Sequence, residues 1–183
     1  MSIDPILAQC LGDGRLMEVR SIISGHRLRV VYAPPDVLKE LDPDTAYSVD
    51  EENAGQLRAW IDGFTKGRRV TVGSDNNRQV DIKILNPLDD EVWELRKRDR
   101  PSTRIFGRFA MKDVFIATNI RTSSDLFSLQ WVTDGYIRWP VWREEIRRCK
   151  AVWRSLFVTY GPVSGGNLDD YLTNAVDERN QRA

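Results

Sequence analysis

Arginine recurs at alternate positions in two nearby segments of this chain, as Glu94, Arg96, Arg98 and then Arg104, Phe106, Arg108. Successive side chains of a β-strand point to opposite faces, so residues spaced by two share a face. Between these positions lie Trp93, Leu95, Ile105, Gly107 and Phe109, an apolar set with the same period. If the two segments pair as a hairpin, a register of even parity puts the apolar set on one side and the arginines on the other. An odd register would drive charges into the core, so the hydrophobic pattern selects the even one. The expected product is a strip of guanidinium groups with one aromatic ring among them. Guanidinium groups hold phosphate bidentately, and the ring of Phe106 offers a surface on which a base can stack. Arginines opposite one another across a hairpin repel. Two sources of compensation fit: a bound polyanion, or pairing within the chain by Glu94, Asp99 and the acidic stretch 36–52.

The elements that must position this strip can be read from the rest of the sequence. The chain has 183 residues, 41% hydrophobic and 30% charged, which suits one water-soluble domain with its own core. Formal net charge is zero, but the charge is segregated. Asp36–Glu52 holds seven acidic residues and Lys39, whereas Trp93–Lys112 holds seven basic residues against Glu94 and Asp99. Arg138–Arg154 adds six basic residues against Glu144 and Glu145. Such polarisation is the usual footprint of a polyanionic partner, and the alternative is a set of hydrated faces. Cys10 and Cys149 lack metal-ligand or redox spacing, so two free thiols are expected, which suits a reducing cytoplasm. The first apolar stretch is broken by Asp4 and Pro5, unlike a secretory leader, and no run reaches the length of a membrane span.

Residues 6–11 read as a short helix and 16–23 as helix or strand. Alternation predicts a strand over Arg27–Ala33, stopped by Pro34 and Pro35, with a short helix from Asp36 to Leu41. Ser48 and Glu51 have capping-box spacing before a helix that carries Ala54, Leu57, Trp60, Ile61 and Phe64 on one face and closes at Gly67. Strands are predicted over Arg69–Val72, Val80–Leu85, Val92–Arg98, Arg104–Ala110 and Val114–Ile120. Loop follows over 122–136, with a short strand at Leu129–Val132. Trp142, Ile146, Cys149, Trp153, Leu156 and Phe157 recur at helical spacing, so 140–158 is an amphipathic helix that packs on the sheet, with Arg143, Arg147, Lys150 and Arg154 on its other edge. Leu168–Val176 reads as a last helix. His26 is the sole histidine, which excludes a two-histidine ribonuclease site. Asp89-Asp90-Glu91 reads as turn, and Gly161–Gly166 lacks the Lys-Ser/Thr of a phosphate-binding loop.

The order helix, Val-Asp-Ile-Lys-Ile-Leu (80–85), turn, Glu-Val-Trp-Glu-Leu-Arg (91–96), polar turn, Thr-Arg-Ile-Phe-Gly-Arg-Phe (103–109) and Val-Phe-Ile-Ala-Thr (114–118) resembles the RelE/ParE superfamily of bacterial toxins, in its HigB-like branch. The resemblance covers roughly residues 27–121. It implies an α+β fold in a single domain: a twisted antiparallel sheet with helices on one face and an open basic face, a core over 26–122, an N-terminal extension over 1–25 and a C-terminal helical extension over 137–183. It further implies a toxin of a type II toxin–antitoxin system that cleaves mRNA on the ribosome by metal-independent attack of a 2′-hydroxyl on phosphate, with no cofactor. Its partners would be RNA, the ribosome and a cognate antitoxin protein. Carried over by motif, Arg96, Arg104 and Arg121 would be the catalytic set, while Arg98, Phe106, Arg108, Arg143, Arg147 and Lys150 would bind RNA. Glu94 stands where relatives often carry lysine, and no histidine or tyrosine closely follows Arg121. ParE-type members share the fold and inhibit gyrase without cutting RNA, so a non-catalytic binding protein is the alternative.

Overall fold

The computed structural model describes residues 3–21, 24–41, 51–74, 79–128 and 139–178. Within them the chain runs α1 (Asp4–Gly12), β1 (Met17–Glu18), β2 (Val30–Ala33), α2 (Pro35–Leu41), α3 (Glu51–Thr65), β3 (Val70–Gly73), β4 (Ile82–Ile84), β5 (Trp93–Lys97), β6 (Thr103–Met111), β7 (Val114–Thr122), α4 (Ser123–Ser128), α5 (Trp139–Leu156) and β8 (Ala175–Asp177). All eight strands form one sheet in the order β1-β2-β7-β6-β5-β4-β3-β8. The fold is α+β. The sheet, expected to be antiparallel, is mixed: β2 runs parallel to β7, and β3 runs parallel to both β4 and β8. Antiparallel β5–β6–β7 is its centre.

Both faces of the sheet are covered. Leu57, Trp60, Ile61 and Phe64 of α3 and Val37 and Leu41 of α2 bury one face together with Trp93, Leu95, Ile105, Phe109, Phe115, Ala117 and Ile120. On the other face, Leu7 and Cys10 of α1 and Trp153 and Leu156 of α5 pack on Ala110 and Ile116. Ile146 and Cys149 of α5 and Leu126 of α4 pack on Phe106 and Val92. The open face anticipated from the resemblance is therefore occupied by α5. The reason is physical: an 18-residue helix with a continuous apolar stripe must bury it, and the inner face of the sheet was already taken by α2 and α3.

Most predicted elements stand close to where periodicity put them. The helix ending at Thr65 is followed by Gly67 at φ +88°, the left-handed conformation that stops a helix. Three readings change. Segment 16–23, expected as helix or strand, holds the two-residue β1 among its described residues, paired with β2. Residues 123–128, expected as loop, form α4. The last helix is instead a 3-10 turn at Leu168–Asp170 followed by edge strand β8. Ser48 of the capping box and the strand at Leu129–Val132 lie outside the described residues. Both cysteines are free and buried. Among the described residues no helix is long and apolar enough to cross a membrane.

Candidate functional site: an arginine ladder

The β5–β6 register is the even one, pairing Trp93 with Gly107, Glu94 with Phe106, Leu95 with Ile105 and Arg96 with Arg104. On the β6–β7 side the register shifts. Phe106 pairs with Asn119 but Gly107 pairs with Ala117, so Thr118 is an extra residue in β7, a β-bulge. The bulge reverses the facing of everything after it. Without it Ile120 would lie opposite Arg104, and Arg121 would point into the α2–α3 core. With it, Arg121 pairs directly with Arg104. Arg96, Arg104 and Arg121 consequently stand side by side on three adjacent strands, as a ladder on the α5 side of the sheet.

Two carboxylates meet the ladder. Glu94 is buried, and its Oε1 lies 2.8 Å from Arg104 Nε and 3.3 Å from Arg96 Nε. Glu145, projecting inward from α5, accepts a 3.0 Å bond from Arg121 Nε at Oε1 and a 2.6 Å bond from Asn119 Nδ2 at Oε2. Asn119 Oδ1 in turn accepts from the bulge residue Thr118 at 2.6 Å. Backbone carbonyls take further donors: Arg96 Nη1 bonds Val80 O, Arg104 Nη1 bonds Lys97 O, and Arg121 Nη1 bonds Ile120 O. Burial pulls the Arg104 guanidinium below its ordinary pKa; Glu94 opposes that shift, and Arg96 and Arg98 add to it. Exposure of the ladder rises outward, from 11% of the Arg96 side chain to 13% for Arg104 and 22% for Arg121.

The other expected contacts divide. Phe106 has no exposed surface; it is packed beneath Ile146 and Cys149 and cannot stack a base in this state. Arg108 is likewise buried, lying over the Trp153 ring and donating to Asp90 O. These two corrections share one cause, the seating of α5 on the sheet. Arg98 stays at the rim, exposed, and donates to Gln79 O at 2.8 Å. Arg143 and Arg147 are exposed on the outer side of α5, and Lys150 reaches back to Asp90. The internal pairing considered for the arginines is therefore present through Glu94, whereas Asp99 accepts from Lys97 at its backbone oxygen. Glu145 and Asn119 were missed by sequence reasoning. The available signal was Glu145 interrupting the basic edge of the helix at a position that falls on its apolar side. Among the described residues no group of His, Cys, Asp and Glu is placed to hold a metal ion.

No family model, no curated protein and no solved structure matches this chain.

Proposed function

We propose that the chain is a toxin of the RelE/ParE type that acts on ribosome-bound mRNA, holding a phosphodiester at Arg96, Arg104 and Arg121. The observation that carries this reading is the ladder: three guanidinium groups in register on adjacent strands, reached only because a bulge turns Arg121 onto the face of the other two. Cations fixed in a site of restricted water access stabilise charge that builds on a phosphorane more effectively than mobile ones. In the reaction, the ribose 2′-hydroxyl loses its proton and attacks the adjacent phosphorus, and the 5′-oxygen of the next nucleotide departs with a proton. Arg121, the most exposed of the three, meets the phosphate first, and Glu94 and Glu145 are the nearest carboxylates for proton transfer. The test is purified protein added to programmed ribosomes, with mRNA ends mapped. Wild-type protein should cut, and Arg104→Ala should lower the cutting rate by at least 100-fold (about 2.7 kcal/mol) while remaining folded. Intact mRNA with wild-type protein would refute it.

A second reading is supported by the carboxylates. Glu94 and Glu145 already satisfy the ladder, as they would in a RelE/ParE-type protein that binds a macromolecular target, such as gyrase or a cognate antitoxin, without chemistry. Inhibition of DNA supercoiling with no RNA cleavage would select it.

A further inference from the structure

The burial of Phe106 and Arg108 leaves the sheet face unable to guide a long polyanion, and the outer side of α5 offers what the sheet does not. At roughly 100° per residue, Arg143, Arg147, Lys150 and Arg154 fall within about 60° of arc on the helix. The apolar stripe, with Ile146, Cys149, Trp153 and Leu156, is centred about 110° away around the helix and is buried against the sheet, so the helix cannot rotate and its cationic flank is fixed toward solvent. Arg143, Arg147 and Arg154 are all exposed.

This arrangement works against the helix. Arg143–Arg147 and Lys150–Arg154 are like charges at i,i+4, which destabilise a helix. Arg143 sits near the N-terminal end, where the helix dipole favours anions, and the first turn holds no acidic residue. The helix's own carboxylates give little relief. Glu145 is turned inward onto Arg121 and Asn119. Glu144 meets Arg147 at 2.6 Å, but in an exposed pair, with 74% of the Arg147 side chain accessible, and such pairs contribute little. Among the described residues, Lys150 alone of the four has a shielded partner, Asp90. Glu145 also ties the two surfaces together, since one residue of the helix that carries the stripe touches the ladder.

We infer that the outer face of α5 is a sequence-independent docking surface for the phosphate backbone of RNA, with Arg143, Arg147 and Arg154 as its contacts. This rests on the reading that the protein acts on RNA and adds where it holds the strand. Arg143, Arg147 and Arg154 supply charge, which meets the phosphate backbone and carries no base sequence information.

The experiment titrates a labelled oligouridylate with the full chain across a salt series. Each cation that neutralises a phosphate of a single strand contributes about 0.7 to the slope of log affinity against log salt. The triple variant Arg143→Gln, Arg147→Gln, Arg154→Gln should lower the magnitude of that slope by about 2, and the corresponding triple lysine variant should keep it. Thermal unfolding checks that both variants fold like the wild type. An unchanged slope in the glutamine variant overturns the inference, as does failure of the wild type to bind at low salt. If polyglutamate instead binds and the glutamine variant loses that binding while its RNA slope is unchanged, the stripe serves an acidic protein and the inference is again overturned. Cleavage on programmed ribosomes is scored separately. Cutting by wild type with an unchanged slope in the glutamine variant removes the docking surface and leaves the toxin reading. A lowered slope with no cutting by wild type does the reverse.

Discussion

Phe106 shows how one side chain separates two descriptions of the same strand. A ring displayed for base stacking would be nearly neutral to stability when truncated, whereas a ring with no exposed surface under α5 leaves a cavity. Phe106→Ala is expected to cost about 3–5 kcal/mol, read as a lowered denaturation midpoint in urea. Its neighbour Cys149 makes a pH-dependent contribution. Burial pushes its thiol up from 9.0 to about 11, so the folded state keeps a proton that the unfolded state has released. Above pH 9 the unfolded chain binds fewer protons, and stability falls as pH rises, reaching a loss of about 2–3 kcal/mol by pH 11. Denaturation midpoints measured between pH 8 and 11 should show this decline in the wild type and a shallower one in Cys149→Ala. The thiol should also resist alkylation until the protein unfolds.

At the scale of elements, the bulge at Thr118 is the decisive device, and Gly107 is built around it. A Cβ at position 107 would lie 2.1 Å from Ile116 O and 2.5 Å from Phe115 Cζ. The first is backbone and cannot turn aside. Gly107→Ala should therefore destabilise the domain by more than about 3 kcal/mol, at or beyond the usual overpacking range, with loss of native circular dichroism if the bulge cannot reform. Strand facing up to Gly107 was legible in the sequence because alternation of Trp93, Leu95, Ile105 and Phe109 with charged residues allows one register. The reversal after Thr118 was not, since a bulge inserts a residue without a compositional mark: Thr118-Asn119-Ile120-Arg121 reads equally well in either facing. The cover over the arginines was legible in part. The stripe Ile146, Cys149, Trp153 pointed to a buried helix, and only the sheet face carrying the arginines remained for it. Combining those two readings would have shown that the strip is not open.

Across the whole molecule, the C-terminal segment is fastened to the same meander. Tyr171 packs against Trp93 and Phe109, and its hydroxyl donates to the buried Glu91 carboxylate at 2.9 Å while accepting from Gly165 N. The turn residue Asp113 receives Thr173 N and Oγ1 at 2.8 and 2.6 Å. Arg29, fully buried, donates to carbonyls of Phe64, Arg68, Thr173 and Asn174. Tyr171→Phe keeps the ring and strands the Glu91 carboxylate, so a loss of about 1–3 kcal/mol is expected from equilibrium unfolding. None of this was legible locally, because Glu91, Asp113 and Arg29 meet partners that only the tertiary fold brings near. The segment over 168–176 looked helical for the same reason: strand β8 forms by pairing with β3, not by its own preference.

The sheet order has a temporal side. Val30 pairs with Val114 and Val70 with Ala175, so the outer strands close loops spanning much of the chain, and refolding belongs to the slow, millisecond-to-second regime of non-local topologies. During vectorial synthesis the three central strands leave the ribosome before α5. For that interval Phe106, Arg108 and Arg121 lack their cover, an oily and cationic surface beside ribosomal RNA, until Ile146 and Cys149 close over the ring, Trp153 meets Arg108 and Glu145 meets Arg121.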